Sequence, residues 1–148
     1  MSTMEPTTLT EPAKLTSASL SIGRLNVMRA GYLFMGAGLV AVKWPLLPDA
    51  HTLPLYESVT VCLLVAMSLL AFLGLRYPTK FLPVLVFEVT WKVLWLTLVA
   101  LPIAVKGELD QPTSTVAVNC AFVVVIVAVV PWRYVWGEYV RAPGDRWR

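Results

Sequence analysis

The stretch FLPVLVFEVTWKVLWLTLVALPIAV, Phe81 to Val105, is predominantly apolar and carries only one acid and one base, Glu88 and Lys92. A helix rises about 1.5 Å per residue and the hydrocarbon core of a bilayer is about 30 Å thick, so this run is long enough to cross it. The two charges stand four residues apart. At about 100° per residue they lie on one side of the helix, with Trp91 and Trp95 on the same broad face. Leu85 and Val99 extend that face, while Thr90 and Thr97 point the other way. Acid before base at this spacing is the better order for an ion pair within one helix.

The composition agrees with a membrane reading. Hydrophobic residues make up 57% of the 148-residue chain and charged residues 14%, with a mean hydropathy of +0.70. A soluble protein, in which roughly a quarter of the residues are charged, has more polar side chains with which to coat its surface. Three further apolar segments follow the same pattern: Leu25 to Trp44, Ser58 to Leu75, and Val116 to Val130 running on into its aromatic flank, about 115–135. Short polar connections separate them. PLLPDAHTLPLYE has three prolines that oppose a continuous helix, RYPTK permits only antiparallel neighbours, and KGELDQPTS offers Gly107 as a stop and Pro112 as a restart.

The first segment reads as a membrane helix rather than a cleaved secretory signal. The earliest charges are Glu5 and Glu11, and the apolar run begins only after Arg24, whereas a signal starts with a basic region close to the N-terminus. Residues 1–24, rich in Ser, Thr and Pro, read as a disordered cytoplasmic tail, and 25–148 as the four-helix domain. Basic residues set the orientation. Lys14, Arg24, Arg29, Arg76, Lys80, Arg133, Arg141, Arg146 and Arg148 fall on one side of a four-crossing arrangement, against Lys43 and Lys106 on the other. The excess places both termini in the cytoplasm. The expected fold is an all-α, polytopic membrane protein, an antiparallel four-helix bundle.

Several chemistries drop out. His51 is the only histidine, so one chain cannot supply a two-histidine haem site or a histidine-based zinc cluster. Cys62 and Cys120 form no C-x-x-C pair and read as small hydrophobes, though both lie a short way in from the same membrane face. There is no glycine-rich phosphate loop, G-x-S-x-G elbow or H-E-x-x-H. No metal or cofactor is implied.

Two charges in a membrane helix carry an insertion penalty of about 2.5 to 3.5 kcal/mol each, so they are expected to face the bundle interior or a wet cavity. Arg29, in NVMRAGYLFMGAG of the first helix, enters from the same side with a side chain long enough to reach inward. The expected site is therefore a cluster of Arg29, Glu88 and Lys92, walled by Trp91 and Trp95. The first helix also carries small residues for close packing, including Ala37 and Ala41, and Gly31 and Gly38 two turns apart. Asn119 is the other intramembrane polar group, expected to bond between helices rather than to hold a ligand. In the C-terminal flank PWRYVWGEYVRAPGDRWR, Trp132, Arg133, Tyr134, Trp136 and Arg141 read as an aromatic belt in contact with anionic lipid headgroups, not nucleic acid, because they follow a spanning helix directly.

The segments LRYPTKFLPVLVFEVTWKVLW, PWRYV and YVRAPGDRWR resemble a family of small uncharacterised bacterial four-helix membrane proteins. The resemblance covers most of the chain after the polar leader and implies a bacterial inner membrane and the same four-helix topology, with no activity attached. RAGYLFMGAG is faintly similar to DoxX-like proteins. Three function classes follow from the residues: an accessory or scaffold protein with a second copy or another membrane protein as partner; a small proton- or ion-coupled transporter using Glu88; and a lipid- or quinone-modifying enzyme, which ranks third.

Overall fold

The structure, a computed structural model, describes residues 20–144. Among these residues there are helices and turns and no strand. The chain runs α1 (Ile22–Lys43), two short 3₁₀ turns at Trp44–Leu46 and Ala50–Thr52, then α2 (Leu55–Arg76) and α3 (Leu82–Trp95). A π-helical turn, Leu96–Ala100, joins α3 to α4 (Leu101–Lys106), and α5 (Gln111–Ala121) is followed by α6 (Val123–Val129), α7 (Trp132–Val135) and a second π-helical turn, Trp136–Arg141. Grouped by continuity, four helices are long and apolar enough to cross a membrane: Ile22–Leu46, Leu55–Arg76, Leu82–Lys106 and Gln111–Val129.

The ends differ from the sequence expectation where a cap acts. Helix α1 begins at Ile22 because the Ser21 hydroxyl accepts the backbone N–H of Arg24 at 3.3 Å, so Ile22 to Arg24 belong to the helix and not to the tail. The rest of the expected tail, residues 1–19, lies outside the described residues, as do 145–148 of the C-terminal flank. Helix α2 starts at Leu55, three residues early, from an extended Pro54 and with Glu57 in its first turn, where a negative charge meets the positive end of the helix dipole. Helix α5 starts at Gln111, ahead of the expected 115 or 116, because the Asp110 carboxylate accepts the N–H of Thr113 at 3.1 Å and Pro112 fits the first turn. Hydrogen bonds from the Thr113 side chain and backbone hold the Asp110 carboxyl below its ordinary range. Gly107 ends α4 in a left-handed conformation, φ 74°, which glycine adopts without a steric penalty.

Prolines explain the interior irregularities. Pro102 supplies no N–H and its ring crowds the carbonyl four residues back. The wider π turn immediately before it, with Leu101 N–H bonded to the carbonyl of Leu96, absorbs the misfit and the span continues. Pro131 likewise leaves the carbonyl of Val127 without its helical donor. The indole N–H of Trp132 takes that place at 2.8 Å, and the fourth span closes at Val129 rather than near 135.

Three hydrogen bonds join the first span to its neighbours at the end that carries Arg24, Arg29, Arg76 and Lys80, termed here the basic end. The Arg24 guanidinium donates to the carbonyl of Val130 at 2.9 Å and the Arg29 Nε to that of Leu75 at 3.1 Å. The buried Tyr32 hydroxyl donates to the carbonyl of Pro78 at 2.8 Å. These bonds tie the start of α1 to the finish of α2, the turn after it and the finish of α6. Met28, Tyr32, Met35, Leu64, Met67, Ala71, Leu82, Leu85, Ile126 and Val130 pack into one core behind them. At the same time Leu98 is 70% exposed and Val105 79% exposed, side chains that water would disfavour and lipid would accept.

Glycines mark the closest approaches. A Cβ on Gly74 would stand 2.5 Å from the Tyr32 ring and one on Gly31 would stand 2.6 Å from Val129. Gly38, seven residues past Gly31 and on the same side of α1, has nothing within 4 Å of that position, so α1 and the fourth span part as they leave the basic end. The expected small pair Ala37 and Ala41 is exposed and does not serve packing inside the chain. Gly74→Ala should therefore lower thermal stability in detergent by about 1 to 3 kcal/mol, while Gly38→Ala leaves it unchanged or slightly raised. Equal effects at the two positions would contradict the close contact between Tyr32 and Gly74.

Candidate functional site

Helix α3 carries the expected ion pair. Lys92 Nζ lies 2.6 Å from Glu88 Oε1, and the indole N–H of Trp91 donates to Glu88 Oε2 at 2.8 Å. Lys92 also sits over the Trp91 ring, 5.6 Å from its centroid, a distance at which the ring face attracts a cation. One helical turn thus closes a three-member arrangement in which both carboxylate oxygens have a donor. Glu88 is 1% exposed and the Lys92 side chain 15% exposed, with Leu85 and Val89 buried beside them. The pair faces inward. Thr90 and Thr97 return their hydroxyls to the carbonyls of Val86 and Val93 on the opposite, exposed side, the usual way for a threonine to satisfy itself in an apolar setting.

Arg29 does not join this pair, which corrects the expected cluster. Its Nη1 donates to Asn26 Oδ1 at 2.7 Å and its Nε to the carbonyl of Leu75. Carbonyls at a helix C-terminus lack intrahelical donors and carry partial negative charge. They lie at the level where α1 enters, whereas Glu88 is six residues further along α3, roughly 9 Å deeper by helical rise. The nearer acceptor takes the guanidinium. Trp91, expected only as a wall, instead supplies the second donor to Glu88. Trp95 is half-buried on the same face.

Asn119 departs from its expected role as well. It is exposed on α5, and no hydrogen bond reaches its side chain among the described residues. Phe122, three residues on, faces Phe34 of α1 with ring centroids 6.3 Å apart. The two cysteines are free and differently placed, Cys62 exposed and Cys120 buried. Cys120 is 2% exposed, inside the packed face of the fourth span, a placement that sequence reasoning did not specify. Its phase with Val123, three residues later and also buried, was the available signal. Among the described residues no three His, Cys, Asp or Glu side chains converge as a metal site would require.

At the basic end, Trp132, Arg133, Trp136 and Arg141 are exposed and Tyr134 is half-buried. Burial lifts the phenols of Tyr134 and Tyr139 above the ordinary tyrosine range, with Glu138 adding to the effect, and both stay neutral at physiological pH.

Four spanning-length apolar helices, a lipid-compatible surface and an inward-facing charge pair define a helical integral membrane protein. Comparison with known protein families, curated proteins and solved structures gives no match, so functional argument rests on the chain's own residues.

Glu88→Gln should strip Lys92 of its counter-charge and reduce stability by about 3 to 5 kcal/mol, read as lost folded yield and a lower melting temperature. Adding Lys92→Gln should recover most of the loss, because the stranded charge is gone. A single variant that melts like the parent would mean that the pair is dispensable to the fold.

Proposed function

We propose that this chain is an accessory or scaffold component of a bacterial inner membrane, with both termini in the cytoplasm, rather than an enzyme. The observation that carries this reading is the self-contained state of Glu88. Both of its oxygens are engaged by residues of its own helix, Lys92 and Trp91, at 1% exposure. A carboxylate held in this way has its charge and its burial met within one helical turn, with no need of a substrate, a second helix or water. Of two hollows among the described residues, one is lined by Trp132, Arg133, Val135, Trp136, Gly137 and Arg141 and the other by residues of α2 and α3 between Leu63 and Phe87; neither includes Glu88 or Lys92.

Polarity directed outward supports the same reading. Asn119 is exposed about 12 Å along its span from Gln111, by helical rise, at a depth where a polar amide is rarely left to lipid. An amide offers donors and an acceptor together, which suits a partner chain or a second copy. The cytoplasmic placement of the termini rests on Arg24, Arg29, Arg76, Lys80, Arg133 and Arg141 at one end against Lys43 and Lys106 at the other. The bacterial setting rests on the resemblance of the RYPTK, FEVTWK and PWRYV segments.

A transport role through Glu88 is the second reading. It is favoured by the incomplete burial of Lys92 and by the π turn that follows α3 directly, since such turns often accompany functional sites. Accessibility separates the two. In a background lacking Cys62 and Cys120, single cysteines at Trp95 on the charged side and at Thr90 opposite are challenged in membranes with an impermeant thiol reagent; Val99, which the sequence places on the charged side, is 39% exposed beyond the π turn and does not report on the pair. The scaffold reading expects no labelling at Trp95 or Thr90. Labelling at Trp95 with silence at Thr90 would put a water-filled path beside the pair and bring transport forward.

A further inference from the structure

We infer that the helical flank after the fourth span forms a seat for the headgroup of an anionic phospholipid, built from Arg133, Gly137 and Arg141. This inference goes beyond the scaffold reading and rests on the proposed function only for the cytoplasmic placement of the flank.

The three residues recur at intervals of four, so they fall along one side of the helical segment formed by α7 and the π turn Trp136–Arg141. Gly137 stands between the two arginines. Nothing lies within 4 Å of where its Cβ would be, so the missing side chain leaves a space flanked by two guanidinium-bearing chains. Together with Trp132, Val135 and Trp136, the three residues line an open hollow of about 690 Å³. Both arginines are exposed, and neither is paired with a carboxylate among the described residues. Glu138, next to Gly137, is exposed and does not line the hollow.

The chemistry of the walls selects the occupant. Guanidinium groups match phosphate oxygens with paired, planar donors. Indole rings favour the boundary between headgroup and hydrocarbon. Trp132 is held at that boundary, its N–H bonded to the Val127 carbonyl in the last turn of the span. A free phosphate would use the arginines and leave the indoles and Val135 without a role. A phospholipid uses both: its phosphate over Gly137 and the upper part of its chains along Trp132, Trp136 and Val135. The negative surface potential of the cytoplasmic leaflet adds to the attraction.

The test uses the full chain in mild detergent, supplied with phosphatidylglycerol or phosphatidylcholine, with retained lipid counted by native mass spectrometry. The parent should retain phosphatidylglycerol over phosphatidylcholine by roughly tenfold. Arg133→Gln with Arg141→Gln should abolish the preference. Gly137→Leu keeps every charge but fills the space, and should reduce retention of phosphatidylglycerol as well; if that variant fails to fold, Gly137→Gln fills the same space. Arg76→Gln, which removes a charge at the same end outside the hollow, should leave retention unchanged. The seat is overturned if Gly137→Leu and Gly137→Gln both retain lipid like the parent. It is equally overturned if Arg76→Gln weakens retention as much as the arginine pair does, because general charge then suffices. Displacement of phosphatidylglycerol by excess inorganic phosphate would identify a free-anion site and reject the lipid.

Discussion

A helix ends with carbonyls that have no donor of their own, and in a bilayer no water is at hand to replace it. At the basic end this deficit is met from α1. Arg24 reaches the carbonyl of Val130, Arg29 that of Leu75, and the Tyr32 hydroxyl that of Pro78. Each bond brings a donor from the first span to the finish of another span or to the turn beyond it. Two of the donors are cations, which also complement the negative end of the helix dipole. The register of α1 against α2 and α6 follows, and so do the tight contacts of Gly74 with Tyr32 and of Gly31 with Val129. Away from this end no comparable bonds join α1 to the fourth span, and Gly38 meets open space.

The same constraint sorts the charges. Arg29 is consumed by a helix end, which leaves Glu88 and Lys92 to satisfy each other, with Trp91 completing the set. A cation on a neighbouring helix would have made the site an interhelical device and coupled α1 to α3. Closed within one turn of α3, it loads no neighbouring helix, and its burial requires only that α3 turn that side inward.

Prolines shape the remaining irregularities through the donor they lack. Before Pro102 the span widens into a π turn and continues. Before Pro131 the orphaned carbonyl of Val127 is recovered by an indole, which sets Trp132 at the edge of the apolar zone. That placement carries the following arginines and Gly137 to the membrane boundary, where the headgroup seat is inferred.

The sequence by itself determined the class, the four spans and the Glu88 to Lys92 pairing. Length, hydropathy and a spacing of four residues are local properties that survive any packing. Gly107 as a stop and Pro112 as a restart were legible for the same reason. The starts of α1, α2 and α5 were misjudged by several residues, because capping by Ser21 and Asp110, and the extended Pro54 ahead of a first turn that carries Glu57, begin helices in sequence that hydropathy reads as loop. The partner of Arg29 and the outward placement of Asn119 belonged to tertiary structure alone. Each depends on the rotation and relative depth of separate helices. An arginine side chain takes the nearest unsatisfied acceptor, and which acceptor is nearest is settled only when the helices are packed.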